Sequence, residues 1–232
     1  AHSHVSNNTV ICVKDWYSFT SEWTVMNVMV VGNGAREHAI LWKLAQSPRV
    51  TKLFAAPGNG GTDTIATNLP YEATDIETLS WVAHEYAIDV TNIGPEAPLA
   101  DGIVDRFQEL GLLAFGPREL SARIESSKVF AKDLMQRFKI PTPRGYVFTN
   151  YLEAREYIQS MDPPFVIKAD GLAAGKGVVV AQSHNEGFSF LDQCMVDRVF
   201  GAAGDSIIIE ECLVGQELSV FTFTDGEYFT PL

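Results

Sequence analysis

Short apolar runs alternate with stretches of helical periodicity throughout residues 28–115, and this alternation constrains the fold more than any other feature of the sequence. In the stretch "REHAILWKLAQS", Ala39, Ile40, Leu44 and Ala45 share one helical face. The apolar runs are "VMVV" (28–31), "KLFAAP" (52–57), "IDVTNI" (88–93) and "LLAF" (112–115). Strands that alternate with helices favour a parallel, doubly wound sheet, which binds ligands outside the carboxyl ends of its strands. The sequence therefore predicts an α/β domain of this kind.

The region after Pro117 follows a different pattern. A stretch of helical spacing leads to "KIPTP" (139–143), whose two prolines suit a rigid connection. The apolar residues of that stretch are Leu120, Ile124, Ala131, Leu134 and Phe138. Four apolar runs follow, and Asp225–Gly226 between two alternating runs is typical of a β-hairpin. These runs are "YVF" (146–148), "FVIKA" (165–169), "VVVA" (178–181) and "SIIIEEC" (206–212). We therefore predict an α+β region with antiparallel strands, and we expect it to be truncated because residue 232 falls in the second strand of the hairpin.

The charge balance and the cysteines exclude several classes of protein. Seventeen Lys and Arg against 29 Asp and Glu give a net charge of −12, which repels polyanions and argues against nucleic acid as a partner. Cys12, Cys194 and Cys212 match neither a disulfide framework nor a zinc site, and favour free thiols in a reducing compartment. No run reaches the ~18 apolar residues that span a bilayer, and residues 1–25 lack the segments of a signal peptide. We therefore expect a soluble, cytoplasmic protein without a membrane partner.

A first glycine cluster, "GNGAREH" (32–38), follows a strand and precedes a helix, as a dinucleotide fingerprint does. However, Glu37 stands where the third glycine belongs, and no acidic residue ends the next strand, which argues against an NAD enzyme. Backbone N–H groups at the positive end of a helix still favour a single phosphate or carboxylate. The loops "PGNGGT" (57–62) and "GPEAPL" (94–99) end neighbouring strands, so all three loops can converge on one ligand. The alternative is three tight turns without a ligand.

A second cluster, "KADGLAAGKGVVVA" (168–181), resembles a phosphate-binding P-loop but departs from it twice. Gly177 replaces the required Ser or Thr after Gly175-Lys176, and Asp170 replaces the first glycine. A β-branched run follows instead of a helix, so the loop joins two strands. Such a glycine-rich hairpin can close over a triphosphate, and Lys168 within an apolar strand is costly to bury unless it meets an anion. The alternatives are a lysine that protects an edge strand and, for Lys176, a solvated loop tip.

A third stretch, "IIIEECLVGQELS" (207–219), places paired acids after a buried strand. Backbone groups of residues 211–213 can read the edge of an adenine, and Glu217 can accept hydrogen bonds from ribose hydroxyls. The alternative is a strand with a polar end.

Taken in order, these motifs resemble the phosphoribosylamine–glycine ligase (glycinamide ribonucleotide synthetase) family of the ATP-grasp superfamily. The matching motifs are "GNGAREHAI", "APGNGGT", "GPEAPLADGIVD", "FGP", "ESSKVFAKDLM", "KIPTP", "VIKADGLAAGKGVVVA", "FGAAG" and "IIIEECLVGQELS". The resemblance implies an ATP-dependent ligation of glycine to 5-phosphoribosylamine in de novo purine biosynthesis. Glycine would be activated as glycyl phosphate, and the products would be glycinamide ribonucleotide, ADP and phosphate.

The same resemblance implies roles for individual residues, although it names no catalytic base. ATP would be bound at its phosphates, its adenine and its ribose by Lys128, Lys168, Gly171, Gly175, Lys176, Gly177, Glu210, Glu211, Leu213 and Glu217. Phosphoribosylamine would face Gly32, Asn33, Gly34, Pro95, Glu96, Ala97 and Pro98. The family's Mg²⁺ ligands are expected beyond residue 232, so we assign no metal ligand in this chain and expect it to be inactive alone.

The resemblance also suggests domain limits, with Met26 at the family's starting position. We expect a non-family extension (1–25), a doubly wound substrate-binding domain (26–117), a helix with a linker (118–144) and an incomplete ATP-grasp region (145–232). Gly187, a poor helix former, predicts a local departure in the helix before "FGAAG". The alternatives are another ATP-grasp carboxylate–amine ligase or carboxylase, and a non-enzymatic nucleotide-binding module.

Overall fold

The computed structural model describes residues 25–172, 176–224 and 226–231. Residues 25–213 form one compact unit, and the described residues from Val214 onward belong to another. No helix in these ranges has both the length and the apolarity to cross a membrane.

The first part of the larger unit contains a parallel five-stranded sheet with the strand order β3-β2-β1-β4-β5. Its strands are β1 (Met26–Gly32), β2 (Val50–Pro57), β3 (Thr67–Asn68), β4 (Val90–Ile93) and β5 (Ala114–Phe115). The accompanying helices are α1 (Ala35–Leu44), α2 (Ile76–Glu85), α3 (Glu96–Ala100), α4 (Ile103–Glu109) and α5 (Glu119–Ser126). The predicted doubly wound sheet is therefore confirmed, with the short β3 as an additional strand.

The central strand β1 separates two apolar layers, because alternate side chains point to opposite faces of a strand. Met29 and Val31 pack in the layer that contains α2 and α4. Val28 and Val30 pack in the other layer, where Leu41 of α1 is completely buried. The predicted apolar face of α1 was therefore only partly correct. Ile40 and Leu44 do pack in this layer, but Ala39 and Ala45 are exposed.

The second part of the larger unit contains an antiparallel four-stranded sheet with the order β6-β9-β7-β8. Its strands are β6 (Gly145–Phe148), β7 (Phe165–Ala169), β8 (Val178–Ala181) and β9 (Ile207–Glu211). Helices α7 (Tyr151–Ser160) and α8 (His184–Met195) supply its apolar core through side chains such as Ile158 and Leu191. This arrangement confirms the predicted α+β region with antiparallel strands.

The segment before this sheet forms two helices, because Ser127 interrupts it. The Ser127 hydroxyl accepts a hydrogen bond from the Phe130 N–H (3.1 Å) and so caps α6 (Lys128–Arg137). The apolar stripe predicted for this segment does not form a buried face, since Leu120 and Ile124 of α5 are exposed.

The departure predicted around Gly187 is wrong, because α8 is an uninterrupted helix through this position. A Cβ atom at residue 187 would lie 2.7 Å from Cζ of Phe165, whose ring is completely buried. The glycine therefore lets the helix approach β7 closely, and this packing outweighs its poor helix propensity.

The smaller unit contains the predicted hairpin, which consists of β10 (Thr222–Thr224) and β11 (Phe229–Pro231) in antiparallel pairing. Asp225 of the predicted turn lies outside the described residues. Gly226 has a φ of 93°, a conformation that glycine adopts without strain.

Candidate functional site

Three loops at the carboxyl ends of β1, β2 and β4 are connected to one another by side-chain contacts. The Asn59 side chain of the second loop donates a hydrogen bond to the Asn33 carbonyl of the first (2.8 Å). Arg36, in the first turn of α1, forms an ion pair with Glu96 beside the third loop (2.9 Å). The hydrogen bond from Arg36 holds the pKa of Glu96 below its usual value. The structure therefore brings together the three loops whose convergence the sequence suggested.

Glu37 explains why an acidic residue replaces the third glycine of the dinucleotide fingerprint. Its side chain is buried and folds back, so that Oε2 accepts a hydrogen bond from the Gly34 N–H (2.6 Å). A Cβ atom at Gly32 or Gly34 would lie 2.6 or 2.7 Å from the nearest Glu37 atom. These glycines therefore make room for a carboxylate of the same chain, and that carboxylate already occupies the N-terminal end of α1. Its Oε1 atom is buried and has no hydrogen-bond partner within the described residues.

The other predicted substrate residues differ in their exposure. Asn33 and Ala97 are exposed, whereas Pro95 and Glu96 are partly buried and Pro98 is buried. Pro95 precedes α3 in an extended conformation, and the helix begins at Glu96. These residues border the loops described above, on the edge of the sheet where the doubly wound fold places ligands.

Lys168 lies on β7, whose neighbours in the sheet are β8 and β9. It is therefore not an edge-strand lysine, and that alternative is wrong. Its side chain is 31% exposed and pairs with Oε1 of Glu210 on β9. Lys168 also aligns with Val178 of β8, so the intervening loop joins antiparallel strands, as the sequence predicted.

The Glu210 carboxylate is shared between two lysines. Its Oε2 atom contacts the ammonium group of Lys132 on α6 at 3.0 Å, and its Oε1 atom contacts Lys168. Lys132 was not among the residues predicted from the sequence. The sequence feature that could have identified Lys132 is its spacing of four residues from Lys128, which places both lysines on one side of α6.

The start of the glycine-rich loop is bound to the N-terminal end of α6. Asp170 accepts hydrogen bonds from the Val129 N–H (3.1 Å) and the Ser127 hydroxyl (3.3 Å). Lys128 donates to the Gly171 carbonyl (2.6 Å), and Gly171 has a φ of 84°. Asp170, which breaks the P-loop pattern, thus supplies a carboxylate to a helix N-terminus, where negative charge is stabilising.

The end of the same loop is less constrained. Lys176 is exposed, and Gly177 is buried, its carbonyl accepting a hydrogen bond from the Ala169 N–H (2.8 Å). Gly175 lies outside the described residues.

The predicted adenine segment begins with a carboxylate that is already paired. Glu211 accepts a hydrogen bond from the Arg144 N–H (2.8 Å) and contacts the Arg144 guanidinium (3.0 Å). Hydrogen bonds from the Arg144 backbone and side chain lower the pKa of Glu211. Leu213 is exposed, and Glu217 belongs to the smaller unit. Contacts therefore connect Lys128 to Gly171 and Lys168 to Glu210.

The side chains around Lys168 suit an anionic ligand. The two ammonium groups of Lys132 and Lys168 and the Glu210 carboxylate together leave one positive charge. The described ranges contain no cluster of three His, Cys, Asp or Glu side chains that could hold a metal ion.

Comparison with known proteins places this geometry in a family. Residues 26–125 match the N domain of phosphoribosylglycinamide synthetase, and residues 126–232 match its ATP-grasp (A) domain. The chain belongs to the phosphoribosylglycinamide synthetase family. The two domain matches meet at the junction between α5 and α6, so the predicted ATP-binding lysines all fall in the ATP-grasp domain.

Several curated relatives of this synthetase family are called phosphoribosylamine–glycine ligase. The protein of Halalkalibacterium halodurans is 48% identical over 207 residues, which cover 89% of this chain and 48% of the relative. The Nostoc sp. protein is 49% identical over 209 residues, 89% of this chain and 49% of the relative. The chain thus spans about half the length of the curated relatives it matches.

One solved structure of a phosphoribosylamine–glycine ligase and one more distant structure are similar to this chain. The phosphoribosylamine–glycine ligase of Thermotoga maritima is similar with a TM-score of 0.74 and 33% identity, covering 89% of this chain and 49% of that one. An N5-carboxyaminoimidazole synthetase from Staphylococcus aureus, complexed with ADP, has a TM-score of 0.60 at 14% identity. The similarity covers 85% of this chain and 48% of the Staphylococcus aureus chain, and it shows that the two share a fold.

Proposed function

We propose that the protein takes part in the ATP-dependent ligation of glycine to 5-phosphoribosylamine, which yields glycinamide ribonucleotide, ADP and phosphate in purine biosynthesis. The observation that carries this proposal is Lys168, a half-buried lysine inside a central strand, beside a glycine-containing loop and in a chain of the synthetase family. Because the chain covers about half of its relatives, the activity is proposed for the whole protein.

The proposed reaction has two steps. A carboxylate oxygen of glycine attacks the γ-phosphorus of ATP, and ADP leaves, giving glycyl phosphate. The amine of phosphoribosylamine then attacks the acyl carbon, the bond to the phosphate oxygen breaks, and phosphate leaves. Phosphoryl transfer needs positioning and charge neutralisation rather than a covalent protein nucleophile.

The chain's own residues supply that positioning. Lys168 presents its ammonium group to the phosphates, and Lys128 has three N–H donors, one of which contacts the Gly171 carbonyl. The loop that includes Gly171, Gly175, Lys176 and Gly177 covers the phosphates. Glu210, Glu211 and Leu213 provide the adenine segment, and Glu217 accepts from the ribose. Mg²⁺, which the family implies, would neutralise phosphate charge, and we expect its ligands beyond residue 232.

Phosphoribosylamine would bind at the connected loops of the parallel sheet. Asn33 and Ala97 are exposed there, and Gly32, Gly34, Pro95, Glu96 and Pro98 shape the loops. Glycine and phosphoribosylamine are the proposed small-molecule partners, without nucleic acid or membrane, and the thiol pattern of the sequence supports a cytoplasmic location.

A hybrid enzyme tests this function directly. Residues 26–232 would replace the matching segment of the Halalkalibacterium halodurans ligase, and a bacterium without its own ligase would be tested for growth without purines. We expect growth, and glycine-dependent ADP release from the purified hybrid, both reduced by Lys168→Ala. A folded hybrid that releases ADP with bicarbonate or formate but not with glycine would instead identify a different ATP-grasp enzyme. Residues 1–232 alone are expected to release no ADP in response to glycine and phosphoribosylamine.

A further inference from the structure

Lys132 is the most deeply buried cation described in the ATP-grasp region, and neither the sequence motifs nor the proposed function gives it a role. It lies on α6 with 2% of its surface exposed. Its ammonium group donates to the Thr142 hydroxyl (3.1 Å), to the Pro143 carbonyl and to Oε2 of Glu210 (3.0 Å). An ammonium group has three N–H donors, so these three acceptors satisfy it completely. Lys132 therefore has no donor left for a ligand.

The only charged acceptor among these three is Glu210, which also pairs with Lys168. The two lysines compete for one carboxylate, but they differ in exposure. The Lys132 side chain is 3% exposed and the Lys168 side chain 31%. Of the two, the more exposed Lys168 is therefore the lysine that a phosphate can reach.

We propose that Lys132 is a positioning residue for ATP phosphates, acting as an internal counterion that cancels the charge of Glu210. With Lys132 present, Glu210 holds the Lys168 side chain through Oε1, while the three groups together keep one positive charge. Without it, Glu210 would neutralise Lys168, and these residues would contribute no net charge to attract phosphates. Electrostatic interactions of this kind act strongly where water is largely excluded.

This inference rests on the proposed nucleotide site and makes a prediction from charge counting alone. The net charge of the three residues is +1 in the unaltered protein, 0 in Lys132→Met, +2 in Glu210→Gln and +1 in the double variant. The affinity for ADP relative to adenosine should rise with this net charge, because adenosine carries no phosphate for the charge to attract. We expect Lys132→Met to weaken ADP binding about tenfold or more, with a much smaller effect on adenosine.

The experiment is calorimetric titration of the full chain and its variants with ADP and with adenosine, alongside thermal unfolding of each variant. The decisive result is the double variant Lys132→Met/Glu210→Gln, which should regain a ratio of ADP to adenosine affinity within about threefold of the unaltered protein. A purely structural role for Lys132 predicts no such recovery, because the double variant loses more buried contacts than either single one. Arg106→Met is the matched control, since it also removes one positive charge, but from an ion pair with Glu77 on the parallel-sheet part.

The outcomes separate this inference from the proposed function. If the unaltered protein binds no ADP, the proposed nucleotide site is wrong, and the inference falls with it. If the protein binds ADP but Lys132→Met leaves the ratio unchanged, or the double variant stays as weak as Lys132→Met, only the role of Lys132 is wrong. If Lys132→Met does not fold, Glu210→Gln decides alone, since it should raise the ratio of ADP to adenosine affinity rather than lower it.

Discussion

Replacing Gly187 by alanine provides a test in which helix propensity and tertiary packing predict opposite signs. Gly187 lies inside α8, where alanine would favour the helix by about 1 kcal/mol. The new Cβ atom, however, would lie 2.7 and 2.8 Å from Cζ and Cε2 of Phe165 and 3.4 Å from Cγ2 of Ile158. Both neighbouring side chains are completely buried. Overpacking of this kind costs typically about 1–3 kcal/mol.

Contacts as short as 2.7 and 2.8 Å place this cost in the upper part of that range, about 2–3 kcal/mol, so after the gain in propensity we expect Gly187→Ala to lower the free energy of unfolding by about 1–2 kcal/mol. For a chain of this size, that loss lowers the midpoint of thermal unfolding by roughly 2–8 °C. Denaturant titration followed by circular dichroism measures both the sign and the size. A Gly187→Ala variant more stable than the unaltered protein would refute the packing argument.

Two further variants isolate the cause. Ser189→Ala changes an exposed position of the same helix, so it should stabilise slightly through propensity alone. Phe165→Leu makes room beside residue 187, so the two changes together should cost less than the sum of their separate effects. Strictly additive losses would show that the Phe165 ring is not what excludes a larger residue.

Three other predictions concern the site and the surface. Lys168→Ala should weaken ATP binding about tenfold or more in the complete protein, because it removes the ammonium group beside the glycine-rich loop. Unchanged affinity in a nucleotide titration would contradict the assignment of Lys168 to the ATP phosphates. Burial raises the pKa of Cys194 to about 11. Maleimide at pH 7.5 should therefore label the more accessible Cys212, and it should label Cys194 only after the protein unfolds, which peptide mapping of the labelled protein would measure. Hydrogen bonding to Arg36 lowers the pKa of Glu96, so the stabilisation from this pair is present above pH 4.5 and lost as the pH falls below it. Unfolding curves of Glu96→Gln should accordingly differ less from those of the unaltered protein at pH 3 than at pH 7.

Much of the fold could be predicted from the sequence, because its evidence is local. Apolar runs and helical spacing predicted the parallel sheet, and the β-branched run after Gly177 predicted that the loop joins two strands. Lys168 was identified for the same reason, since a lysine within "FVIKA" contradicts the apolar character of its own strand. Local evidence failed at Gly187, where propensity predicted a disturbed helix and packing against Phe165 produced an intact one.

The sequence alone thus determined the types of element, their order along the chain and the residues that stand out chemically within each element. These properties depend on neighbours within a few positions of the chain. Only the tertiary structure decided which distant groups meet. Lys132 and Glu210 are 78 residues apart and come together because α6 packs beside β9, and β7 is an inner strand because β8 and β9 flank it. Such pairings depend on strand order and on helix packing, which arise from the burial of apolar surface over the whole unit rather than from any local pattern.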